Sequence, residues 1–336
     1  KREIPDVLGR FGVVDPPEGI SRFGDRHRAY VKVQDGCLLR CSYCIIPYVR
    51  PRMWSRPTDA ILDEVRRLVD NGYREIVLTG IHLGHYGVDF NQGRPRSTWV
   101  RLADLVRGIV GLPGTFRVRL SSIEATEVTR GLLEVMGEFP DRVCPHLHIC
   151  MQSGSDAVLR RMNRRWGARR FLDRCQLASQ TLDQPALTTD VIVGFPGESD
   201  ADFEATCELT RACGFSKVHI FPFSPRKGTP AAEMPDPIAA STRQQRQEAL
   251  QLVEAACRES YVRGLKGRTL QVLVESPDPD DSAYVWGTSC RYVPVRLSQR
   301  HRASGELTNV VAGESCVGGL RGQLPSEHAL SAKCGG

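Results

Sequence analysis

The sequence has no apolar run that approaches the roughly 18 residues needed to span a bilayer. It also has no secretory signal, because the first residues, Lys1 to Pro5, are charged and lack an apolar segment. A long chain without such a signal is not expected to form a secreted disulfide framework, so most of its 12 cysteines are expected to be small buried side chains. We therefore expect a cytoplasmic protein without a membrane partner.

Acidic residues are absent from one arginine-rich stretch and nearly absent from another. The segment from Cys37 to Arg56 contains four arginines and no acid, and the segment from Arg160 to Arg174 contains seven arginines and only Asp173. Each stretch alone is more often a solvated helix face than a binding surface. If both lie on one face, a polyanionic partner becomes the better interpretation, although the net charge of the chain is only +6.

The 336 residues, 41% of them hydrophobic and 25% charged, are typical of a globular protein with a large domain and room for an appendage. Six β-rich runs alternate with helical patterns, which predicts βα units and a parallel sheet. The expected strands are Tyr30–Val33, Glu75–Leu78, Phe116–Leu120, His146–Ile149, Asp190–Val193 and Lys217–Phe221. Apolar stripes over Ile61–Val69, Leu102–Ile109 and Leu132–Val135 predict covering helices. The fold class is therefore α/β, with a partial (βα)6 TIM-like barrel.

A different pattern follows a predicted helix from Thr242 to Val262. Short alternating strands separated by turn residues predict a small antiparallel β-barrel. Its expected strands are Leu270–Val274, Tyr284–Thr288, Tyr292–Leu297 and Leu307–Val311. The predicted organisation is a linker over residues 1–26, the α/β core over 27–262, the small barrel over 263–323 and a flexible tail over 324–336.

Three cysteines lie directly after the first predicted strand, where parallel βα folds place their active sites. Cys37, Cys41 and Cys44 have the spacing Cys-x3-Cys-x2-Cys. Three thiolates on one loop can bind three irons of a 4Fe-4S cluster and leave the fourth iron open. A structural zinc site needs a fourth ligand, and neither His27 nor His82 has a zinc-like spacing. The pattern therefore favours a cluster over zinc or inert thiols.

The loop Gly36–Arg50 resembles the cluster loop of the radical S-adenosylmethionine (SAM) superfamily, in its narrower methylthiotransferase form. Further blocks resemble the same family in the same order along the chain. They are Ile76–Gly87, Ser121–Glu124, His146–Ile149, Gln152–Asp156, Met162–Arg165, Thr189–Glu198, Phe221–Pro225 and Gly228–Pro230. The Thr-Gly-Ile-His sequence at Thr79–His82 is most similar to the MtaB branch, which acts on threonylcarbamoyladenosine in tRNA.

The resemblance implies that SAM binds the open iron and is cleaved by electron transfer to a 5′-deoxyadenosyl radical. It implies that the backbone at Tyr43 and Cys44 meets the adenine, and that Thr79 and Gly80 meet the methionyl amino group. It also implies that the loop from Val193 through Gly194 to Gly197 meets the adenosine. Further polar contacts to SAM or substrate are implied for Ser122, Glu124, Gln152 and Arg165. The three cysteines are the expected catalytic and metal-binding residues.

Several of these residues have a simpler interpretation. Glu124 is also expected to cap a helix that begins near Thr126, and Gly194 and Gly197 are also expected in turns. The small barrel resembles a TRAM domain, an RNA-binding module, through its strand rhythm and its Gly287-Thr288 and Gly305–Leu307 segments. Its three aromatic residues are more often core than base-stacking side chains. They are Tyr284, Trp286 and Tyr292.

Methylthiotransferases carry an N-terminal domain whose three cysteines bind a second 4Fe-4S cluster, and here Cys37 is the first cysteine. The resemblance therefore implies a monomeric fragment, without that domain, that uses SAM, a reducing electron donor and tRNA. The expected reaction converts threonylcarbamoyladenosine beside the anticodon to its 2-methylthio derivative. Isopentenyladenosine, a ribosomal protein, or RNA binding without catalysis are the alternatives. Pro51 and Cys150 depart from the family, which usually has Gly and Pro there; Cys150 is expected near SAM.

Overall fold

A computed structural model describes residues 27–299 and 303–325 of the chain. The predicted linker over residues 1–26 lies outside the described residues, as does the predicted tail beyond Pro325. No helix of the described part is long and apolar enough to cross a membrane.

Strands and helices alternate through the first part of the described chain. The strands are β1 (Arg28–Asp35), β2 (Trp54–Ser55), β3 (Glu75–Gly80), β4 (Arg117–Leu120), β5 (His146–His148), β6 (Ala186–Val193) and β7 (Lys217–Pro222). The α-helices are α1 (Ile46–Val49), α2 (Thr58–Asp70), α3 (Leu102–Val110), α4 (Arg130–Glu138), α5 (Asp156–Arg161), α6 (Ala168–Thr181), α7 (Asp200–Cys213) and α8 (Ala240–Arg263). Short 3-10 helices include Leu83–His85 and Ala125–Glu127.

The parallel strands follow one another in sequence order and form an open half-barrel. Strands β1, β3 and β4 pair in parallel, as do β5, β6 and β7. Single parallel bridges, Val118 with Val143 and Ile123 with Ile149, connect the two groups. The partial (βα)6 barrel predicted from the sequence is therefore confirmed. The short strand β2, which pairs antiparallel with β1, was not predicted because two residues form no pattern.

The covering helices bury the apolar stripes that the sequence indicated. Helix α2 buries Ile61, Val65 and Leu68 against the sheet. Helices α3 and α4 bury their own predicted apolar stripes in the same core. Because an amphipathic helix gains most of its stability from packing this face, the stripes predicted the helices well.

A closed five-stranded barrel follows α8. Its strands are β8 (Thr269–Pro277), β9 (Tyr284–Ser289), β10 (Pro294–Ser298), β11 (Leu307–Cys316) and β12 (Gly319–Gln323). The pairings are antiparallel except that β10 and β12 run parallel. Strand β12 was missed because glycines read as turn residues. The barrel needs one there, since a Cβ at Gly322 would lie 2.3 Å from Cδ2 of Leu297.

The prediction that three aromatic residues fill this barrel is wrong. Successive residues of a strand point to opposite faces, and in β9 the buried positions are Val285, Gly287 and Ser289. Tyr284 and Trp286 therefore lie on the outer face, only partly buried. Tyr292, outside the strands, is 46% exposed.

Main-chain carbonyl groups dock the closed barrel on the half-barrel. Arg117 of β4 donates to the carbonyl oxygens of Gln271 (2.6 Å) and Thr288 (2.9 Å). Arg119 donates to the carbonyl oxygens of Ser289 and Cys290, both at 3.1 Å.

One buried carboxylate holds both arginines in place. Glu75, the first residue of β3, is completely buried and pairs with Arg117 at 2.6 Å and Arg119 at 2.9 Å. A third guanidinium, that of Arg28, lies 3.0 Å from the same carboxylate and reaches Glu275 of the closed barrel at 2.6 Å. Burial alone would raise the pKa of Glu75, but the three arginines outweigh it and hold this pKa well below its usual range.

Candidate iron-sulfur and nucleoside site

The three predicted cysteine ligands lie on one tight loop after β1. A Cβ at Gly36, which has φ +77°, would lie 2.1 Å from the carbonyl oxygen of Arg52, so only glycine fits the start of this loop. The N–H of Cys44 donates to the carbonyl of Cys41 at 3.0 Å and closes a turn. All three thiols are free, and the N–H of Leu39 donates to Sγ of Cys37 at 3.4 Å.

The three thiols form a donor set that suits a cluster better than a single zinc ion. Burial raises the pKa of Cys44, and the neighbouring Cys41 and Cys37 raise it further. The three sulfur atoms thus act on one another. A structural zinc ion takes four ligands, whereas three thiolates can each bind one iron of a cluster.

A buried glutamine, which the sequence analysis missed, ties this loop to the one after β3. Gln34 donates from Nε2 to the carbonyl of Gly36 at 2.8 Å, and its Oε1 accepts from the N–H of His82, also at 2.8 Å. Gly80 lies so close that an added Cβ would be 3.1 Å from the same Oε1. Thr79 is anchored through Oγ1 to the carbonyl of Val31 at 3.3 Å. The predicted pair Thr79 and Gly80 therefore lies beside the cysteine loop.

Two histidines and a glutamate lie against the same loop. Nδ1 of His82 is 3.7 Å from Sγ of Cys37, and Nε2 contacts the carboxylate of Glu127. The ring of His85 stacks on that of His82 with centroids 3.7 Å apart. Burial would lower the pKa of His82, but hydrogen bonds to Cys37 and Glu127 raise it to about 9. Burial and the charge of His82 lower the pKa of His85 to about 4.

The predicted residue Glu124 is engaged by two side chains that follow α5. Its carboxylate pairs with Arg164 and accepts from Nε1 of Trp166 at 3.1 Å. The same Arg164 lies 3.4 Å from Sγ of Cys41 and 3.5 Å from the hydroxyl of Tyr43. Burial raises the pKa of Tyr43 well above its usual range. Glu124 thus connects to the cysteine loop through an arginine that was not predicted as a site residue.

Two cavities adjoin the cysteine loop and the strand ends. The smaller, of about 250 Å³, is lined by Cys41, His85, Glu124 and the exposed Arg165. The larger, of about 570 Å³, lies between the half-barrel and the closed barrel, and its lining includes Thr79, Ser122, His148, Lys217 and Tyr292. The predicted residues Arg165 and Ser122 therefore belong to different cavities.

The remaining predicted residues lie on the β5–β6 side. Gln152 has φ +67° and pairs with β6 through its backbone. Its N–H donates to the carbonyl of Asp190 at 2.8 Å, and its carbonyl accepts from the N–H of Ile192 at 2.9 Å. Cys150 groups with His148 and Asp190, whose ligand atoms lie within 4.8 Å of one another.

The loop after β6 is shaped by two glycines. Gly194 and Gly197 both have φ +70°, which agrees with their expected turn role. Val193 accepts at its carbonyl from the N–H of Phe223 at 2.8 Å. The carbonyl of Gly197 accepts from Arg161 at 2.6 Å, and the carbonyl of Arg161 accepts from the Ser42 hydroxyl at 2.8 Å. Helix α5 thereby connects this loop to the cysteine loop.

The two arginine-rich stretches lie together. Asn163 donates to the carbonyl of Arg40 at 2.6 Å, so the end of α5 packs on the cysteine loop. Several arginines are paired with acids: Arg50 with Asp35, Arg56 with Glu64, Arg164 with Glu124 and Arg169 with Asp173. Arg165 and Arg170 are exposed and line the smaller cavity, and the described residues provide neither with an ion pair. The two stretches are thus in contact at the cysteine loop, and part of their positive charge is neutralised by acids.

Comparisons with known proteins give a consistent family. The sequence model of the Radical SAM superfamily matches residues 31–210. The threonylcarbamoyladenosine tRNA methylthiotransferase MtaB of Thermotoga maritima is 41% identical over 254 residues, which are 75% of this chain and 56% of that protein. The tRNA-2-methylthio-N(6)-dimethylallyladenosine synthase of Desulfitobacterium hafniense is 34% identical over 301 residues, 90% of this chain and 66% of that protein. The chain thus spans between half and two thirds of these relatives.

A solved structure supports the fold. Coproporphyrinogen III oxidase (HemN) from Escherichia coli, described as a radical SAM enzyme, has a TM-score of 0.50 over 70% of this chain and 54% of its own. At 14% sequence identity, the likeness concerns the fold alone.

Proposed function

The chain belongs to the radical SAM superfamily, and from this membership we propose that Cys37, Cys41 and Cys44 hold its 4Fe-4S cluster and that SAM binds beside them. The observation that carries the proposal is the set of three free thiols on one tight loop at the end of β1. Three thiolate ligands leave one iron of the cluster available to another ligand.

The chemistry of the cluster is to supply the electron that breaks a carbon–sulfur bond of bound SAM. The residues of this chain hold the ligands in place and supply donors to them. Gln34 fixes the backbone at Gly36, which precedes the first ligand, and at His82 on the loop after β3. Arg164 places its guanidinium 3.4 Å from Sγ of Cys41. Such donors stabilise negatively charged sulfur more strongly than neutral hydrogen bonds do.

We propose that SAM lies across the strand ends. Backbone at Tyr43 would contact the adenine, and Thr79 with Gly80 would contact the methionyl amino group. The loop Val193–Gly197 would contact the adenosine. Its link through α5 to the cysteine loop supports this assignment, because one rigid unit would then hold both halves of SAM.

Polar groups for SAM or substrate are proposed at four further residues. Glu124 and Arg165 line the smaller cavity beside Cys41, and Ser122 lines the larger cavity. Gln152 follows β5 in an isolated bridge to Val191, with a left-handed backbone that a glutamine adopts at a cost in energy.

We propose that the reaction is the methylthiolation of threonylcarbamoyladenosine next to the anticodon of tRNA. The support is the higher identity to three MtaB proteins, 38%, 41% and 42%, than to three dimethylallyladenosine synthases, 34%, 36% and 36%. The Thr-Gly-Ile-His sequence at Thr79–His82 favours the same branch. A second cluster, a reducing electron donor, a monomeric state and a cytoplasmic location remain proposals of the same kind.

Anaerobic reconstitution with iron and sulfide tests the cluster. About four irons per chain and formation of 5′-deoxyadenosine from SAM under reducing conditions are expected. The variants Cys37→Ala, Cys41→Ala and Cys44→Ala should each lose most of the iron, whereas Cys316→Ala, in the closed barrel, should keep it. One zinc per chain in place of iron would contradict the proposal.

The substrate needs a separate experiment, because all methylthiotransferases share the cluster. Nucleosides from the tRNA of a deletion strain should lack the 2-methylthio form of threonylcarbamoyladenosine and keep that of isopentenyladenosine. Loss of the isopentenyl form instead would assign this chain the reaction of the dimethylallyladenosine synthases. If both forms persist, the tRNA assignment is wrong.

A further inference from the structure

We propose that His82 is a positioning residue for the cluster, in which Nδ1 donates a hydrogen bond to the sulfur of Cys37 and Glu127 holds the ring. The inference rests on the proposed cluster ligands. It assigns a role to a side chain that the spacing of the cysteines does not include. Its consequence is a higher reduction potential for the cluster.

The contacts of the imidazole define its direction. Nδ1 lies 3.7 Å from Sγ of Cys37, and Nε2 contacts a carboxylate oxygen of Glu127. A sulfur that ligates iron is a thiolate and accepts hydrogen bonds, and an ionised carboxylate does the same. With an acceptor at each nitrogen, both nitrogens act as donors. The ring therefore joins the carboxylate to the sulfur.

The backbone and the carboxylate are both fixed. Gln34 accepts from the N–H of His82 at 2.8 Å, so the residue cannot shift along the loop. The second carboxylate oxygen of Glu127 accepts from the N–H of Glu124 at 2.9 Å. A Cβ at Gly84 would lie 2.1 Å from that oxygen, so the loop after β3 needs glycine for Glu127 to reach the ring.

Burial makes the contact effective. The side chain of His82 is 3% exposed and that of Glu127 is 8% exposed, so water competes little for either nitrogen. His85 covers one face of the ring by stacking. A hydrogen bond is electrostatically stronger in such a site than in water.

A donor to a cluster sulfur favours the reduced state. Reduction adds one negative charge to the cluster, and a hydrogen bond to a ligand sulfur stabilises that charge. The reduction potential of an iron–sulfur cluster is set partly by such hydrogen bonds. Removal of the donor should therefore make the cluster harder to reduce, while the three cysteines still hold the iron.

The test compares four variants of the reconstituted chain by redox titration, with the reduced cluster followed by electron paramagnetic resonance. His82→Phe removes both donors. His82→Asn keeps a donor near the position of Nδ1, and His82→Gln keeps one near Nε2. His27→Asn is the matched control, because His27 precedes β1, at the end of the strand opposite the cysteine loop, and its ring contacts the carbonyl of Glu275. Iron and sulfide are measured in every sample.

For His82→Phe we expect the ratio of reduced to oxidised cluster at a fixed potential to fall about tenfold, which corresponds to about 59 mV for one electron. The potential of His82→Asn should lie closer to that of the parent than the potential of His82→Gln does, and His27→Asn should match the parent. A His82→Phe cluster with full iron and an unchanged potential overturns the proposal. If His82→Phe holds no cluster, the reduction potentials of His82→Asn and His82→Gln decide. A potential closer to the parent for His82→Gln than for His82→Asn overturns the proposal.

The iron content separates this inference from the function on which it rests. If the Cys37→Ala variant keeps four irons, the proposed ligand set is wrong. If Cys37→Ala loses the iron while the His82 variants keep both iron and potential, the ligand set stands and only the role of His82 fails.

Discussion

Replacement of Glu75 by glutamine tests the joint between the half-barrel and the closed barrel. The carboxylate is fully buried and shared by three guanidinium groups, those of Arg28, Arg117 and Arg119. Glutamine keeps the shape of the side chain but removes its charge, so Arg117 and Arg119 stay buried without an anion and Arg28 keeps only Glu275. Breaking a buried ion pair in this way costs about 3–5 kcal/mol, because an uncompensated charge remains in the interior.

The expected loss is large compared with the stability of a typical protein, about 5–15 kcal/mol. At roughly 2–4 °C for each kcal/mol, the apparent melting temperature should fall by roughly 6–20 °C. Circular dichroism or calorimetry of the Glu75→Gln chain measures this fall. Glu138→Gln, which removes an exposed partner of Arg107, is the control and should melt with the parent.

The pH dependence provides a second measure of the same network. The pKa of Glu75 is held well below its usual range in the folded protein, against about 4.3 in an unfolded chain. Its contribution is therefore fully present above the unfolded pKa and is lost as the pH falls toward the folded pKa. The difference between parent and Glu75→Gln should stay constant from pH 8 to about pH 5 and shrink below about pH 4. A difference of less than 2 °C at pH 7 would refute the reasoning.

Three further predictions concern the site. Gly194→Ala should destabilise the chain by about 1–3 kcal/mol more than Gly93→Ala does, as measured by urea unfolding. Both glycines have a positive φ, but of the two only Gly194 has no room for a Cβ, which would lie 2.3 Å from Cγ of Arg243. Equal losses would contradict this steric reason. Arg164→Met should lower the free energy of unfolding by about 3–5 kcal/mol, because Glu124 stays largely buried without its cation. The double variant with Glu124→Gln should recover part of this loss. No recovery in the double variant would contradict the pairing. Arg165→Gln with Arg170→Gln should weaken binding of an anticodon stem-loop RNA and reduce the salt slope by about 1.4, measured by fluorescence anisotropy. The charge-matched control is Arg66→Gln with Arg211→Gln, on two other helices and both paired with acids, and equal weakening there would refute a local surface.

The sequence predicted the half-barrel well because its signals are local. Apolar stripes and β-rich runs indicate elements whose packing faces are set within a few residues, as for Ile61, Val65 and Leu68 of α2. Strand β12 was missed because its glycine at position 322 serves a close approach to Leu297 in the folded barrel. The positions of Tyr284 and Trp286 were wrong because only the register of β9 decides which face points inward.

The three cysteines proposed as ligands could be singled out from the sequence because they are close together in it. Their supporting residues could not. Gln34 is one of several polar residues in β1, and of its two partners Gly36 follows the same strand while His82 lies on the loop after β3. His82 was considered only as a fourth zinc ligand and rejected because its distance from the cysteines in the sequence is not zinc-like. Glu127 carries no motif of its own. Contacts across 45 residues, such as His82 with Glu127, are a property of the folded chain.

The docking of the closed barrel has a consequence for how such proteins can be rebuilt. Arg117 and Arg119 bind four carbonyl oxygens, which every amino acid provides. These two arginines therefore recognise the path of a backbone, while ion pairs such as Arg28 with Glu275 add side-chain contacts. A barrel of different sequence, with the same β8–β9 course and an acid at the position of Glu275, could be grafted after α8. The joint works as an adaptor, through which a different appended module could be exchanged without redesign of the half-barrel.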